Sequence, residues 1–416
     1  MKTKKISIVG GGASGMMAAI VAAQKGAIVT IYEKNDRVGK KLLATGNGKC
    51  NFSNLSMNNS CYRGGGEKIV GYVLEQFSPR DCIAFFQELG MLVKERNGYL
   101  YPASEQASTV LDLLRNKLSY LGVNVVTGCE ITGIKYKKEK RCFYLSALKE
   151  DKKETIETEC VILSTGSVAG ISTKKNTLNM YRLLEKLNLP IVPVVPSLVQ
   201  LRCKEDYMKA VAGVRLEGEV SLYIDQKEIC TEHGELQLTD YGVSGIPVFQ
   251  LSRYAAYALQ EKKDVQVRIN CLPNFSNEDY DIYIKKRKIQ SKEQTAEEFF
   301  LGLCNKKLIL LFLKLAQIKP TDLMCDICDE KKQKVFKLMR KWSLNIVSTN
   351  PFEQAQVCAG GLSMDAVDAQ LQVKEYPGLY VTGELLDVDG RCGGYNLQWA
   401  FSSGYAAGTD AAESKF

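Results

Sequence analysis

The chain lacks any hydrophobic run long enough to cross a membrane. Beyond the N-terminal region its longest apolar run, residues 308–313, is closed by a lysine at each end, whereas a membrane-spanning helix needs about 20 apolar residues. The apolar N-terminal stretch is interrupted by three glycines and leads at once into a second strand-like segment, which favours a retained part of the fold over a signal peptide. We therefore expect a soluble, cytoplasmic protein with no membrane partner.

Histidine is almost absent, and the cysteines show no disulfide framework. The one histidine, His233, lies in the sequence EHGE, which predicts an exposed turn and makes it a poor candidate for a catalytic base. The fourteen cysteines are spread along the chain and are expected to be reduced thiols. Cys325 and Cys328 form its one CxxC pair. A zinc site would need a second pair, so no metal is predicted, and an incidental or a redox role for the pair stays open.

A strong excess of charge of one sign is also missing. The 55 basic and 47 acidic side chains give a formal net charge of +8. The lysines occur in short runs, and the run at residues 135–141 is typical of the solvated edge of a hairpin rather than of a nucleic-acid groove. No nucleic-acid partner is expected, and the oligomeric state stays open. A chain of 416 residues, 45% of them hydrophobic, is long enough for two or three domains.

What the sequence does contain is a glycine-rich turn between a strand and a helix near its N-terminus. Residues 6–9 predict a buried parallel strand, and Gly10, Gly12 and Gly15 follow it as GxGxxG. The first glycine permits a tight turn, the second lets the backbone approach a pyrophosphate, and the third lets the helix pack on the strand. Glu33 ends the next predicted strand, where a carboxylate binds the hydroxyls of an adenosine ribose. The pattern predicts a site for FAD or NAD rather than NADP.

The loop after this unit favours FAD over NAD. Residues 37–54 are polar and glycine-rich and include Lys40, Lys41, Asn47 and Asn51. A plain NAD-binding unit would continue directly into a helix and a strand. A longer, bent ligand needs cations for its diphosphate and polar groups for its ribityl chain and ring. Non-covalent FAD is therefore the predicted cofactor, since no histidine or cysteine lies in an obvious attachment motif.

Seven segments, spread over nearly the whole chain, carry a resemblance to a known family. They read GGGASGMMAA, GKKLLATGNGKCN, STGS, PSLVQL, GELQLTDYGVSGIPVFQLSR, AGGLSMD and GLYVTGELLDVDGRCGGYNLQWAFSSGYAAG. With them the sequence resembles the bacterial two-dinucleotide-fold FAD flavoproteins that include aminoacetone oxidases and bile-acid dehydro-intermediate reductases. The last two segments are the most specific.

The resemblance implies a role at FAD for particular residues. Those implied at the pyrophosphate and adenosine ribose are Gly10, Gly12, Ala13, Ser14, Gly15, Glu33 and Lys34. Those implied on the ribityl and flavin side are Lys40, Lys41, Asn47, Gly48 and Asn51. Ile131 would contact the adenine, with Thr165 and Gly166 nearby. Those implied near the ribityl chain and phosphate are Gly383, Glu384 and Asp387. Those implied at the isoalloxazine edge are Gly394, Tyr395, Asn396, Leu397 and Gln398.

The resemblance also gives the glycine pair before the last predicted helix a chemical purpose. Backbone N–H groups at the helix N-terminus after Gly393 and Gly394 would point at the flavin N1 and C2 carbonyl. Negative charge grows there when the flavin is reduced. The helix dipole should therefore raise the reduction potential.

The predicted fold is α/β, with a Rossmann-like FAD-binding domain that is interrupted by an insert. Residues 1–190 and 350–416 would form the discontinuous FAD-binding domain. Residues 191–273 predict an antiparallel, barrel-like β module, and residues 274–349 predict a helical subdomain. The resemblance implies that the insert covers the flavin and forms a substrate cavity.

Three departures from the family pattern leave the substrate open. Asn47 and Lys49 stand where many relatives have glycine and arginine, and Asp240 stands where they have histidine. Residues 173–184 lack the glycine of a Thr-Gly-type turn. The catalytic acid or base is unknown, and the side chains able to transfer a proton are Asp240, Tyr241 and Tyr395.

The predicted function is an FAD-dependent oxidoreductase that transfers hydride between flavin N5 and a small organic substrate. With one GxGxxG, the chain has no second Rossmann domain for NADPH, so a nicotinamide donor would dock transiently, or O2 or a substrate would oxidise the flavin. An NAD(P)H-driven reductase of an enone or steroid-like compound is favoured over an aminoacetone-type amine oxidase that uses O2. Two further alternatives are a non-catalytic redox-sensing or RNA-associated flavoprotein and thiol–disulfide chemistry through the CxxC pair.

Overall fold

The computed structural model describes residues 4–170, 179–288 and 293–414, and the chain divides into two compact units. Unit 1 is Met1–Val195 with Gln356–Phe416, and unit 2 is Pro196–Ala355. The strands are β1 (Lys5–Val9), β2 (Ile28–Tyr32), β3 (Ser53–Asn54), β4 (Tyr62–Gly64), β5 (Val93–Arg96), β6 (Tyr99–Pro102), β7 (Asn124–Val126), β8 (Cys129–Lys137), β9 (Cys142–Lys149), β10 (Lys152–Thr158), β11 (Cys160–Leu163), β12 (Ile191–Ser197), β13 (Leu201–Cys203), β14 (Arg215–Ile224), β15 (Lys227–Leu238), β16 (Gly242–Ser244), β17 (Val265–Asn270), β18 (Trp342–Thr349), β19 (Val357–Leu362), β20 (Leu379–Val381) and β21 (Val388–Gly390). The helices are α1 (Ala13–Gln24), α2 (Glu67–Gln76), α3 (Pro79–Glu88), α4 (Ala107–Tyr120), α5 (Asn179–Lys186), α6 (Met208–Val211), α7 (Ile246–Gln260), α8 (Asn277–Lys288), α9 (Ala296–Phe300), α10 (Lys306–Leu315), α11 (Asp329–Arg340) and α12 (Tyr395–Glu413).

A five-stranded parallel sheet organises unit 1. Its order is β20-β11-β1-β2-β7, so the first strand lies in the middle, between β2 and β11. Strands β2 and β7 therefore lie on one side of β1, and β11 and β20 lie on the other. The strand order reverses at β1, and open α/β sheets bind ligands at the carboxyl end of the strands at such a switch point. All four residues of β11 are buried, as expected for an apolar strand that is covered on both faces.

Two helices from opposite ends of the chain pack against each other in unit 1. Helices α1 and α12 approach closely because α12 carries glycines at the contact. A Cβ at Gly408 would lie 2.6 Å from the carbonyl oxygen of Ala18, and a Cβ at Gly404 would overlap the carbonyl oxygen of Ser14. Small side chains at these positions thus bring the N-terminus of α1 and the last helix to one place.

Smaller antiparallel sheets complete unit 1. Strands β8, β9 and β10 form a meander, β6 pairs with β3 on one side and β5 on the other, and β21 pairs with β4. The lysine-rich run at residues 135–141 ends β8 and forms the turn to β9, which confirms the predicted hairpin.

Unit 2 contains a closed barrel in the order β13-β16-β15-β14-β17-β18, which confirms the predicted barrel-like antiparallel module. Strand β18 closes it by pairing with β13 and β17. The predicted helical subdomain, residues 274–349, was wrong over this strand, because helix α11 ends at Arg340. From Trp342 onward buried and exposed side chains alternate with the two-residue period of a strand. Helices α8 to α11 precede it, and apolar side chains such as Phe300 and Phe312 share one core with the barrel.

Two sequence candidates in unit 2 lie on its surface. His233 belongs to β15, directly opposite Glu219 on β14, so the predicted turn is wrong, and its side chain is exposed. Cys325 and Cys328 are exposed free thiols in the turn before α11. Residues 173–178 of the glycine-free segment lie outside the described part of the chain. Within that part, no helix combines the length and apolar character needed to cross a bilayer.

Candidate cofactor site

The carboxyl ends of β1, β2, β11 and β20 open onto one cleft in unit 1. Its empty volume, including space open to solvent, is about 1340 Å³. The ends of these four strands, the loop after β2 and the first turn of α12 all contribute to its lining. The sequence-predicted residues that line it are Gly10, Gly12, Ala13, Ser14, Glu33, Lys34, Lys40, Lys41, Ile131, Thr165, Gly166, Gly383, Glu384, Asn396 and Leu397.

The turn after β1 has no room for side chains next to β11. Gly10 has φ +102°, and a Cβ on it would lie 2.5 Å from the carbonyl oxygen of Ser164. A Cβ on Gly15 would overlap the carbonyl oxygen of Gly10, so this glycine lets α1 pack on the turn but does not line the cleft. Gly12, by contrast, is clear of the protein, with its nearest neighbour 4.0 Å away. Gly12 is thus the glycine whose open side is left to a ligand.

Helix α1 begins at this turn without a capping side chain. Gly12 is its N-cap, and its first turn contains no acidic residue. The first N–H groups of a helix have no intrahelical partner, and the helix dipole makes this end attractive to anions. The N-terminus of α1 can therefore bind a phosphate or diphosphate.

Glu33 is fixed in place at the end of β2. The residue is 7% exposed. Its carboxylate accepts hydrogen bonds from the Gly11 N–H at 2.8 Å and from the Asn35 backbone N–H at 2.8 Å. The Asn35 side-chain amide donates to it as well, at 2.6 Å. A carboxylate held in this way at the end of the second strand has the position that ribose recognition requires.

Two lysines of the following loop make different ion pairs. The Lys40 ammonium lies 2.5 Å from a carboxylate oxygen of exposed Asp36. The Lys41 ammonium lies 2.6 Å from Glu384 Oε2, and the Glu384 side chain is 15% exposed. The Cys358 thiol lies near this pair, and burial raises its pKa to about 11, so it stays protonated at neutral pH. Glu384 and Lys41 thus join the loop after β2 to the end of β20.

The first turn of α12 divides between the cleft and the core. Asn396 and Leu397 line the cleft, and Ala400 follows them on the same face. Tyr395 and Gln398 were predicted to join them, but both side chains are buried in unit 1 and neither lines the cleft. Successive helical residues are rotated by about 100°, so a run of five consecutive residues cannot all face one ligand.

Gln398 belongs to a hydrogen-bonded network inside unit 1. Its side-chain amide donates to the Phe77 carbonyl and to Ser402 Oγ, both at 2.9 Å. Its Oε1 accepts a hydrogen bond from Ser53 Oγ at 2.5 Å. All the polar atoms of this side chain are therefore engaged within the protein, and its role is to fix α12.

Tyr395 is also held by the protein rather than by the cleft. Its ring packs edge-on against Tyr62, with ring centres 6.3 Å apart, and its hydroxyl donates to the Ser56 carbonyl at 3.3 Å. Burial raises the pKa of Tyr395 to about 12. The other two proton-transfer candidates belong to unit 2: Asp240 is exposed, and the Tyr241 hydroxyl accepts a hydrogen bond from the Asn350 amide at 3.0 Å.

The remaining predicted residues do not line the cleft. Asp387 is buried, and its Oδ1 accepts a hydrogen bond from the Gly360 N–H at 3.2 Å. The Asn51 amide, oriented to satisfy its surroundings, donates to the carbonyls of Leu100 and Ser53. The predicted residues that shape the backbone with positive φ are Asn47, Gly48 and Gly394.

Several lining residues carry no local sequence signal. Gln356 and Val357 enter the cleft directly after unit 2, and Ser167 follows β11. Gly11 and Asn35 could have been found, since Gly11 lies within the predicted glycine turn and Asn35 lies two residues after Glu33. The others depend on which distant strands meet, and a local pattern does not contain that information.

Two buried oxygens in the cleft have no hydrogen-bond partner among the described residues. They are Thr165 Oγ1 and Glu384 Oε1, and both residues line the cleft. A buried polar atom without a partner costs about 1–3 kcal/mol, so native proteins seldom leave one unless a ligand or water satisfies it. Together with the uncapped α1 and the fixed Glu33 carboxylate, these oxygens fit FAD, which offers a diphosphate and several hydroxyls.

Comparison with known proteins identifies the family. The HI0933-like protein Rossmann domain matches residues 4–410. The chain belongs to the HI0933-like family. This confirms the predicted resemblance, and the protein is an FAD-dependent oxidoreductase.

Two relatives and one solved structure are similar to the HI0933-like chain. It is 39% identical over 412 residues to a 3-dehydro-bile acid delta(4,6)-reductase of Clostridium scindens, covering 98% of this chain and 99% of that protein. It is 27% identical over 411 residues to a ribosomal RNA dihydrouridine synthase of Haemophilus influenzae, covering 96% of each. A 3-ketosteroid delta1-dehydrogenase from Sterolibacterium denitrificans, solved with 1,4-androstadiene-3,17-dione, has the same fold, with a TM-score of 0.53 at 12% identity over the whole of both chains.

Proposed function

We propose that this HI0933-like protein is an NAD(P)H-driven reductase of a conjugated carbonyl compound with a steroid-like skeleton. The observation that carries the proposal is the 39% identity, over almost the full length of both chains, to a bile-acid reductase whose name describes reduction at the Δ4,6 positions of a 3-dehydro compound. The substrate would be a small molecule in the cytoplasm, where the fourteen free cysteines would stay reduced.

The residues of the cleft have distinct tasks in this proposal. The N-terminus of α1 would bind the diphosphate, and the Glu33 carboxylate would bind the adenosine ribose. Thr165 Oγ1 and Glu384 Oε1 are free to bind cofactor hydroxyls. The first turn of α12, through Asn396 and Leu397, would direct backbone N–H groups at the ring edge that becomes negative on reduction. Bound FAD would supply the hydride, at N5.

The first experiment is anaerobic reduction of the purified holoenzyme. We expect NADH or NADPH to bleach the visible absorbance of the flavin, and a 3-oxo steroid or bile acid with Δ4 or Δ4,6 unsaturation to restore it with formation of a product that carries two more hydrogens. The matched control is the same skeleton with a 3-hydroxyl group in place of the ketone, which should leave the flavin bleached because no carbonyl activates the double bond.

Two outcomes would overturn the reductase. If neither nicotinamide bleaches the flavin but aminoacetone does, with peroxide released in air, the protein is an amine oxidase. If neither nicotinamide bleaches the flavin and no conjugated ketone reoxidises reduced flavin, both the electron donor and the substrate class that we propose are wrong.

A second candidate follows from the dihydrouridine synthase relative, which is 27% identical over 96% of this chain. In that case uridine in ribosomal RNA would be the hydride acceptor. We rank it second because the identity is lower and the net charge of +8 is modest for an RNA-binding protein. Dihydrouridine formed in unmodified ribosomal RNA by the reduced enzyme, detected by mass spectrometry, would place this candidate first.

A further inference from the structure

A partly buried ion pair spans the cofactor cleft. The Lys41 ammonium lies 2.6 Å from Glu384 Oε2, and the two side chains are 38% and 15% exposed. Ser167 Oγ donates to the same oxygen at 3.3 Å. The other oxygen, Oε1, is buried and has no partner among the described residues. The carboxylate therefore has one oxygen that is held by two protein groups and one whose hydrogen-bonding capacity no described residue uses.

This asymmetry defines what Lys41 does. A carboxylate that is this deeply buried is unfavourable without a paired cation. It would also repel the diphosphate of a dinucleotide in the same cleft. The ammonium removes both problems, and because it contacts Oε2 alone, it leaves Oε1 without a partner among the described residues. Lys40, the preceding residue in sequence, pairs instead with exposed Asp36 and has no such effect.

We propose that Lys41 is a positioning residue, which promotes FAD binding through Glu384 rather than through a contact of its own with the diphosphate. By neutralising and orienting the Glu384 carboxylate, it prepares Oε1 to accept a hydrogen bond from a cofactor hydroxyl. The inference rests on FAD as the cofactor of this cleft. It does not depend on which substrate the enzyme reduces.

The test is a double-mutant cycle on FAD affinity, measured with apo-protein by the quenching of flavin fluorescence. We expect K41M to weaken binding about 10- to 100-fold, because it leaves a buried, partly screened charge unpaired. E384Q should weaken binding less, since an amide oxygen still accepts a hydrogen bond. The double variant K41M/E384Q should then bind FAD more tightly than K41M, because the uncompensated charge is gone.

The inference would be overturned if E384Q worsened the loss of FAD affinity caused by K41M instead of reducing it. If Lys41 acts directly on the diphosphate, the losses multiply, and K41M/E384Q binds FAD more weakly than either single variant. The comparison of E384Q with K41M/E384Q needs no variant with an unpaired buried charge, so it remains available if K41M does not fold. In that comparison a loss above about threefold on removal of Lys41 contradicts our proposal.

A readout without FAD separates this role from cofactor contact. Urea unfolding of the apo-proteins should show K41M less stable than wild type, and the added E384Q should restore stability. The matched control is K25M, which removes the cation of the surface pair between Lys25 and Glu413 and should change neither stability nor FAD affinity measurably. A failure of wild-type apo-protein to bind FAD would overturn the cofactor along with this inference, whereas multiplying losses in an active reductase would overturn this inference alone.

Discussion

Helices α1 and α12 both begin directly after consecutive glycines, yet the glycines serve different purposes. Gly12, ahead of α1, has an open side, where an added methyl group would have no protein atom nearer than 4.0 Å. Gly393 and Gly394, ahead of α12, are enclosed by the protein: a Cβ on Gly393 would lie 2.5 Å from the Tyr99 ring, and a Cβ on Gly394 would overlap the Ser53 carbonyl. A glycine cluster before a helix therefore signals close approach, but the sequence does not say whether to a ligand or to the protein itself.

The largest effect should come from the enclosed glycine. Gly394→Ala places a methyl group against backbone at φ +94°, so we expect the free energy of unfolding of the apo-protein to fall by at least about 3 kcal/mol. Urea unfolding measures it. The control is Gly26→Ala, which has φ +86° but no atom within 4 Å and should lose only about 1–2 kcal/mol from backbone strain. Equal losses would show that crowding at Gly394 is unimportant.

Substitution of Gly12, the glycine with an open side, should reduce FAD affinity strongly and stability little. Gly12→Ala meets no protein atom and has φ −79°, so unfolding should change by no more than about 1 kcal/mol. FAD affinity should fall about 10-fold or more, because the methyl group enters the space that the diphosphate needs. Titration of apo-protein with FAD measures this. Unchanged affinity would mean that the diphosphate does not lie on the N-terminus of α1.

A smaller effect on stability is expected within the first turn of α12. Gln398→Leu removes a side chain that bonds Phe77, Ser402 and Ser53, and the loss should be about 1–2 kcal/mol in unfolding. FAD affinity of the folded protein should remain within about threefold of wild type, because the side chain does not line the cleft. A selective loss of FAD affinity at unchanged stability would show that Gln398 contacts the cofactor.

The smallest effect is expected for Tyr395→Phe. The hydroxyl donates a long hydrogen bond, 3.3 Å to the Ser56 carbonyl, and interacts with the Cys61 thiol, so its removal should cost about 1 kcal/mol or less. Burial raises the pKa of Tyr395 to about 12, so the phenol stays protonated at every pH at which the enzyme would be assayed. The rate of flavin reoxidation by substrate should be unchanged between about pH 6 and 9. A large loss that depends on pH would make Tyr395 the proton donor.

Local patterns predicted the parts of this molecule that local contacts determine. The GxGxxG turn and Glu33 are read from one strand–helix–strand unit, and all of these predicted residues except Gly15 reach the cleft. The pattern near the C-terminus predicted the start of α12 at Tyr395. It did not predict which side chains of the first turn face the cleft, because this depends on how α12 packs against α1 and β3.

Other misses have a similar cause. Strand β18 follows four helices, and its alternation is local but covers only eight residues, whereas its partners in the barrel, β13 and β17, are far away in sequence. Gln356 and Val357 reach the cleft only because the chain returns from unit 2 at that point. Neither the residue types of Gln356 and Val357 nor the hydrophobic periodicity around them shows that the chain returns to the cleft at this point.

The packing of α12 against α1 has a consequence for synthesis on the ribosome. Strand β20 and helix α12 are made after all of unit 2, yet they supply one edge of the parallel sheet and the partner of the first helix. While unit 2 leaves the exit tunnel, the nascent N-terminal segment must wait, exposing apolar surface that its missing partners later cover. The cleft is finished only after α12 has been made, so cofactor capture must follow the synthesis of unit 2, and a nascent chain truncated before α12 cannot complete its cofactor cleft.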